Sequence, residues 1–366
     1  MAMPQHSLEV PYPARRNKHE ESAAARHLDW LTRHGMLGGE RAVELYEDWG
    51  VEDLTARLFP EADEDELTLA FDLFGFYFLF DDQFDGEVGL DPRLAAEVCE
   101  PLIAITHGDT RGAGRSPITS SFADLWQRLT DGMAPRWRAR AAANWEWYLA
   151  SHANEAVGRA AAAEARAEGR PVRFPDRPSF LIVRHGASGA ETVMDAIERV
   201  NRIEVPPAAF HSPELRQLRH LAGDIPGICN DVCSYAKEVP RGDVYNMVPV
   251  IQQQQGCTLE EAAKVVLAEC QWMIDQCWRL SRGLPQLCRR LGLDEDGTNA
   301  VLRYAEGMGD WIRGYLDWEP VTPRYQEVGM LPLDEPNYLE DLLQAPPDAT
   351  GAAGRPGTPG GAAGAA

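Results

Sequence analysis

The chain has 366 residues, 44% of them hydrophobic and 25% charged, and a formal net charge of −22. That composition is ordinary for a globular protein, and the negative charge argues against nucleic acid, whose phosphates require a basic face. No uninterrupted apolar segment approaches the roughly 20 residues that span a bilayer. The opening text MAMPQHSLEVPYPARRNKHE carries no apolar secretion-signal core, so a cytoplasmic protein is expected.

In chain order, residues 1–20 are polar and Pro-containing and are expected to be mobile. Apolar residues then recur at three- and four-residue spacing, with charges on other faces. This predicts helices over Glu40–Trp49, Glu66–Phe80, Pro135–Ala160, Ala190–Glu204, Leu259–Leu280 and Gly297–Asp317. Alternating β-branched text is nearly absent, so no sheet is expected. Asp91-Pro92, Pro171 to Pro175 and Pro206-Pro207 read as loops. Gly223-Asp224-Ile225-Pro226-Gly227 sets a proline where Pro213 to Ala222 already reads as helix. Proline costs about 3 kcal/mol in a helix interior, so a kinked long helix is preferred to a fresh start at Pro226. Residues 345–366 are almost all Ala, Gly, Pro and Thr and are expected to be disordered. One all-α domain over residues 21–344, without repeats or linkers, is the simplest reading. The seven cysteines are scattered, odd in number and never spaced CxxC, so neither a disulfide framework nor a zinc site is expected.

Two acidic stations stand out. The aromatic run Phe71 to Phe80 ends in Asp81-Asp82-Gln83-Phe84-Asp85. Phe71, Phe74, Phe78, Asp81 and Asp85 step by 3, 4, 3 and 4, which places them on one helical stripe. Further on, Asn230, Ser234 and Glu238 step by 4 and 4 and align three oxygen-bearing side chains. Oxygen-only ligands suit Mg²⁺, which shares its remaining positions with water and phosphate. The pair suggests a Mg²⁺–diphosphate clamp over an oily pocket. In so acidic a chain, a few local basic residues must reverse the field at that clamp.

These motifs resemble a bacterial class I terpene synthase. DDxxD is present as Asp81 to Asp85, and NDxxSxx(K/R)E as Asn230-Asp231-Val232-Cys233-Ser234-Tyr235-Ala236-Lys237-Glu238. A terminal RY pair appears as Arg324-Tyr325, after Trp-rich text that includes Trp311 and Trp318. The family's diphosphate-sensing arginine lies 46 residues before the motif asparagine, and 230 − 46 gives Arg184. The resemblance spans roughly residues 25 to 335. It implies a class I terpenoid synthase-like helical bundle around a central apolar cavity, with three Mg²⁺ ions per site. It also places a linker residue at Ala187 and an effector carbonyl at Ser188. Ala187 departs from the family's acidic linker, and Gly186 and Gly189 still permit a helix break.

Metal ligands are expected from Asp81, Asn230, Ser234 and Glu238, with Asp82 and Asp85 at the metal station holding ligands or basic partners in place. Arg184, Lys237, Arg324 and Tyr325 are expected on the diphosphate. Metal ions and arginines stabilise the charge that develops on the leaving phosphate oxygens. The allylic cation left behind needs a dry aromatic wall, for which Tyr77, Phe78 and Trp311 are the candidates. Trp318 reads as structural, and His185 and His211 have no nameable partner. The expected reaction is cyclisation of farnesyl diphosphate. An elongating prenyltransferase and a non-catalytic helical binder are the alternatives, though the second DDxxD of an elongating enzyme is missing. A homodimer is left open.

Overall fold

The computed structural model describes residues 8–325 and 341–344. Among them are fifteen α-helices and no strand. The first six are α1 (Glu20–Arg33), α2 (Glu40–Trp49), α3 (Val51–Leu58), α4 (Glu64–Asp81), α5 (Pro92–Thr106) and α6 (Pro117–Thr130). Next come α7 (Pro135–Ala167), α8 (Arg177–Ala187), α9 (Ala190–Val200), α10 (Pro207–Phe210) and α11 (Pro213–Cys233). The last four are α12 (Tyr235–Arg241), α13 (Met247–Gln255), α14 (Leu259–Leu291) and α15 (Glu295–Trp318). The expected all-α bundle is observed. The tail 345–366 lies outside the described residues.

Helix boundaries follow local chemistry. Asp63, Asp176 and Ser212 accept hydrogen bonds from backbone amides at the starts of α4, α8 and α11. Thr258 and Glu261 form a reciprocal capping box at the start of α14. That helix runs past the expected end at Leu280, through Pro285, to a left-handed Gly292. Its buried face of Ile274, Cys277, Leu284, Leu287 and Cys288 is packed, and this outweighs the proline cost. Helix α9 stops at Val200 rather than Glu204. Arg202 adopts a positive φ there, and its side chain pairs with Asp63 and Glu66.

Helix α4 is buried on nearly every face and packs against α1, α3, α6 and α9. Helix α11 packs against α9, α13, α14 and α15. Between these two groups lies a cavity walled by residues of α3, α4, α7, α8, α9, α11 and α15. Residues 8–19, grouped above with a mobile N-terminus, pack against this bundle. Tyr12 stands edge-on to Trp278, 5.5 Å between ring centres, and Asn17 Nδ2 donates to the Phe59 and Ala62 carbonyls. Arg15 reaches the Asp310 carboxylate at 2.6 Å. Buried partners fix this stretch, a signal that composition does not carry.

Candidate active site: an apolar cavity beneath a charged mouth

The cavity floor is built from side chains that helical spacing brings together. Phe74, Tyr77, Phe78 and Asp81 line it from α4, with Leu54, Val193, Trp311 and Tyr315 opposite. Phe71, placed by spacing on the same stripe, is instead core and packs against His27. Tyr77 donates to Thr192 Oγ1 at 2.6 Å, and Thr192 donates to the Gly189 carbonyl at 2.7 Å. Tyr77 is therefore held against the junction of α8 and α9. Burial pushes its phenol well above the ordinary tyrosine value, so it stays neutral.

Pro226 explains the position of Trp311. Helix α11 runs uninterrupted from Pro213 to Cys233. Pro226 has no N–H to give to the carbonyl four residues back, that of Ala222. The indole Nε1 of Trp311 donates to that carbonyl at 2.9 Å. The replacement bond fixes the indole along the cavity wall, where it also meets Phe74.

Above the aromatic floor the lining becomes ionic. A second, polar chamber shares Asp81, Arg184 and Ala187 with the cavity and adds Asp85, Glu155, Arg159, Arg166, Glu238 and Asp243. Asp81 ends α4 with its carboxylate more than half exposed to this mouth. Asp85 lies beyond a 3₁₀ turn at Asp82–Phe84, so the stripe drawn through Asp81 and Asp85 breaks after α4. Asn230 and Glu238 sit on α11 and α12, with Ser234 at the junction, so that triad spans two helices.

Arg184 joins these elements. Its Nη2 donates to the Gly227 carbonyl at 2.9 Å and lies 2.7 Å from Asp231 and 3.4 Å from Asn230 Oδ1. Burial pushes the Asp231 carboxyl up, while Arg184 and the Met247 amide favour its ionised form. Ala187 and Ser188 close α8 and line the cavity, and Gly189 follows with φ +66°. Residue 187 has no side-chain acceptor, and Arg184 is held by α11 directly.

Asp82, placed at the metal station, is not turned to the mouth as a ligand but holds a basic partner, the other part expected of it. Its carboxylate is buried and takes both Nη donors of Arg324, at 2.9 and 2.5 Å. Arg324 in turn spends those two donors on Asp82 and packs over the Trp49 and Phe78 rings. Tyr325 lines the cavity beside it, and burial raises its phenol to about 12. Lys237's side chain lies outside the described residues.

The structure adds residues that sequence spacing alone did not single out. Glu155, Arg159, Ala163 and Arg166 form one face of α7 along the mouth, with Arg159 paired to Asp243 at 2.8 Å. Periodicity of the α7 text could have grouped them. Glu319 is buried behind Asn230 and accepts from its Nδ2 at 3.0 Å. His152 is buried against Phe80 and Phe84. Its Nδ1 donates to the Tyr148 carbonyl at 3.1 Å, and its Nε2, 3.8 Å from Asp81, makes no hydrogen bond among the described residues. Burial lowers its pKa, so the ring is neutral.

The donor set fits a hard divalent cation. The Ser234 hydroxyl is fully buried and makes no hydrogen bond among the described residues. It stands between Asn230 and Glu238, whose side chains also offer oxygen, and such a set suits Mg²⁺.

Comparison with known proteins agrees with this geometry. The model of terpene synthase family 2, C-terminal metal binding, matches residues 72–280, more than half of the chain. Pristinol synthase of Streptomyces pristinaespiralis is 34% identical over 328 residues, covering 88% of this chain and 86% of that protein. Pentalenene synthase of Streptomyces avermitilis is 32% identical over 342 residues, covering 93% and 99%. The crystal structure of germacradien-4-ol synthase from Streptomyces citricolor superposes with a TM-score of 0.76 at 44% identity, over 86% of this chain and 98% of that one. The chain belongs to terpene synthase family 2 and is a bacterial class I terpene synthase. The family's metal-binding region contains both stations described above. No helix among the described residues is long and apolar enough to cross a membrane.

Proposed function

We propose that the protein ionises farnesyl diphosphate and cyclises it to a sesquiterpene, releasing diphosphate. The observation that carries this reading is the shared wall of Asp81, Arg184 and Ala187, where an aromatic cavity opens directly into a mouth lined by carboxylates and arginines. Two similar proteins, 7-epi-alpha-eudesmol synthase of Streptomyces viridochromogenes and (-)-beta-caryophyllene synthase of Saccharothrix espanaensis, are named as farnesyl diphosphate cyclizing.

Asp81 on one side and Asn230, Ser234 and Glu238 on the other would hold Mg²⁺, three ions in this reading, which would supply positive charge against the leaving diphosphate. Arg184 orients that group at the junction of cavity and mouth, as bidentate donors do. Lys237 and Tyr325 belong to the same binding set. Arg324 joins it by exchanging its carboxylate partner for phosphate oxygens. Arg159 and Arg166 offset part of the mouth's carboxylate charge, and bound cations would supply the rest of the positive field that a diphosphate needs. Below, Tyr77, Phe78 and Trp311 exclude water and present ring faces to cationic carbon. Asp85 supports the mouth from the turn after α4.

The proposal is tested by diphosphate release from farnesyl diphosphate alone, with and without Mg²⁺. Release that needs Mg²⁺ and no second substrate supports ionisation by a terpene synthase, and a cyclic product in the same vial supports a cyclase. Release only after isopentenyl diphosphate is added would indicate an elongating synthase, and no release from either would indicate a binder.

A further inference from the structure

Outside the active site, two imidazoles and a carboxylate converge on the far side of α8 and α11. His185 Nδ1 lies 2.5 Å from Asp224 Oδ1, and His220 Nε2 lies 3.4 Å from Asp224 Oδ2. One ligand atom from each of the three residues falls within 4.8 Å of the others. His220 and Asp224 are four residues apart on α11, so their side chains share a face. His185 comes from α8 and is almost fully buried, whereas His220 is well exposed. The two ring centres lie 4.5 Å apart, with the ring planes tilted by 35°. Two imidazoles this close around one carboxylate do not both accept a proton cheaply, because like charges oppose each other.

We propose that His185, His220 and Asp224 form a binding site for a borderline first-row divalent cation, Zn²⁺ or Co²⁺. Imidazole with carboxylate suits these ions, whereas Mg²⁺ prefers oxygen alone. Bonds of about 2.0–2.2 Å to nitrogen and oxygen require ligand atoms roughly 3.3 Å apart. His220 already stands at that distance from Asp224, at 3.4 Å, and the His185–Asp224 pair, at 2.5 Å, would open by about 1 Å as the cation replaces the proton between them. The supporting groups are already in place. Glu191 Oε1 lies 3.5 Å from His185 Nε2, the nitrogen left over when Nδ1 binds the cation. Glu191 is itself held by Arg219 at 3.2 Å. A carboxylate behind a ligating histidine fixes its tautomer and raises its basicity. The proton that His185 now shares with Asp224 leaves as the cation enters. Two residues of the site lie on α11 and one on α8, and His185 directly follows Arg184. The bound ion would clamp the helix that carries the diphosphate-sensing arginine to the helix that carries Asn230.

The test is a Co²⁺ titration of tag-free protein in excess Mg²⁺, following visible ligand-field absorption. The expected result is a saturable band in the wild type that weakens about tenfold or more in affinity in His220→Ala. The band should persist in Asp81→Asn. Zn²⁺ should raise the melting temperature of the wild type and not of His220→Ala. His220 is a surface residue, so its variant folds. An absent band, or one unchanged in His220→Ala, overturns the proposal. So does a band lost in Asp81→Asn, which would place the cobalt at the diphosphate site.

Discussion

The indole Nε1 of Trp311 donates at 2.9 Å to the Ala222 carbonyl, the carbonyl that Pro226 leaves without a helical partner. A defect in one helix thus holds the side chain of another, and the cavity wall is set by this bond. Trp311→Phe keeps an aromatic ring but strands a buried carbonyl. It should lower stability by about 1–3 kcal/mol and broaden the product mixture. Urea unfolding and gas chromatography of the products check the two effects separately.

Asp81 and Asp82 are neighbours with opposite roles. Asp81→Asn should leave stability within about 0.5 kcal/mol and reduce turnover by roughly 10²–10³. Asp82→Ala removes the partner of a buried guanidinium and should cost roughly 3–5 kcal/mol in stability. Thermal or urea melts of the two variants, run beside activity assays, check this contrast. Equal stability in both would remove the Asp82–Arg324 pair from the account.

Adjacent identical residues explain what the sequence could and could not disclose. The stations were legible because oxygen-bearing side chains repeat at three- and four-residue steps within a few residues. The same spacing could not show that Asp82 turns inward, since its partner Arg324 is 242 positions away. Asp85 was placed on a helix stripe that in fact ends at Asp81, because the 3₁₀ turn leaves no periodic signal. The proline in α11 was visible, and a kinked long helix was preferred to a fresh start at Pro226; one helix does run through it. The indole that compensates it was not, because that hydrogen bond joins residues 89 positions apart. His185 had no nameable partner for the same reason: Asp224 and Glu191 reach it only through the packing of α8, α9 and α11.

Ser234 and Glu238 should control metal demand rather than fold. Glu238→Gln and Ser234→Ala should each raise the Mg²⁺ concentration for half-maximal rate by about tenfold or more. Rate measured against Mg²⁺ at saturating substrate is the check, and an unchanged curve would exclude that residue as a ligand.

His185 predicts a pH dependence of stability. Burial opposes its protonation, but hydrogen bonds to Asp224 and Glu191 outweigh that and raise its pKa from 6.5 to about 9. A raised pKa in a basic group means stability that is fully present below pH 6.5 and lost as pH rises through about 9. The loss is about 3 kcal/mol by the linkage relation. Urea unfolding between pH 6 and pH 10, with a chelator present, should show this fall. Asp224→Asn should flatten it.

The central claim is that this cavity converts a linear C15 diphosphate into a ring. The most direct measurement is incubation of purified protein with farnesyl diphosphate, with and without Mg²⁺, followed by pentane extraction and gas chromatography–mass spectrometry. Geranyl and geranylgeranyl diphosphates serve as parallel substrates. The account predicts a cyclic C15 product that appears only with Mg²⁺. Only acyclic alcohols, a ring formed solely from the C10 or C20 substrate, or no product at all would contradict it.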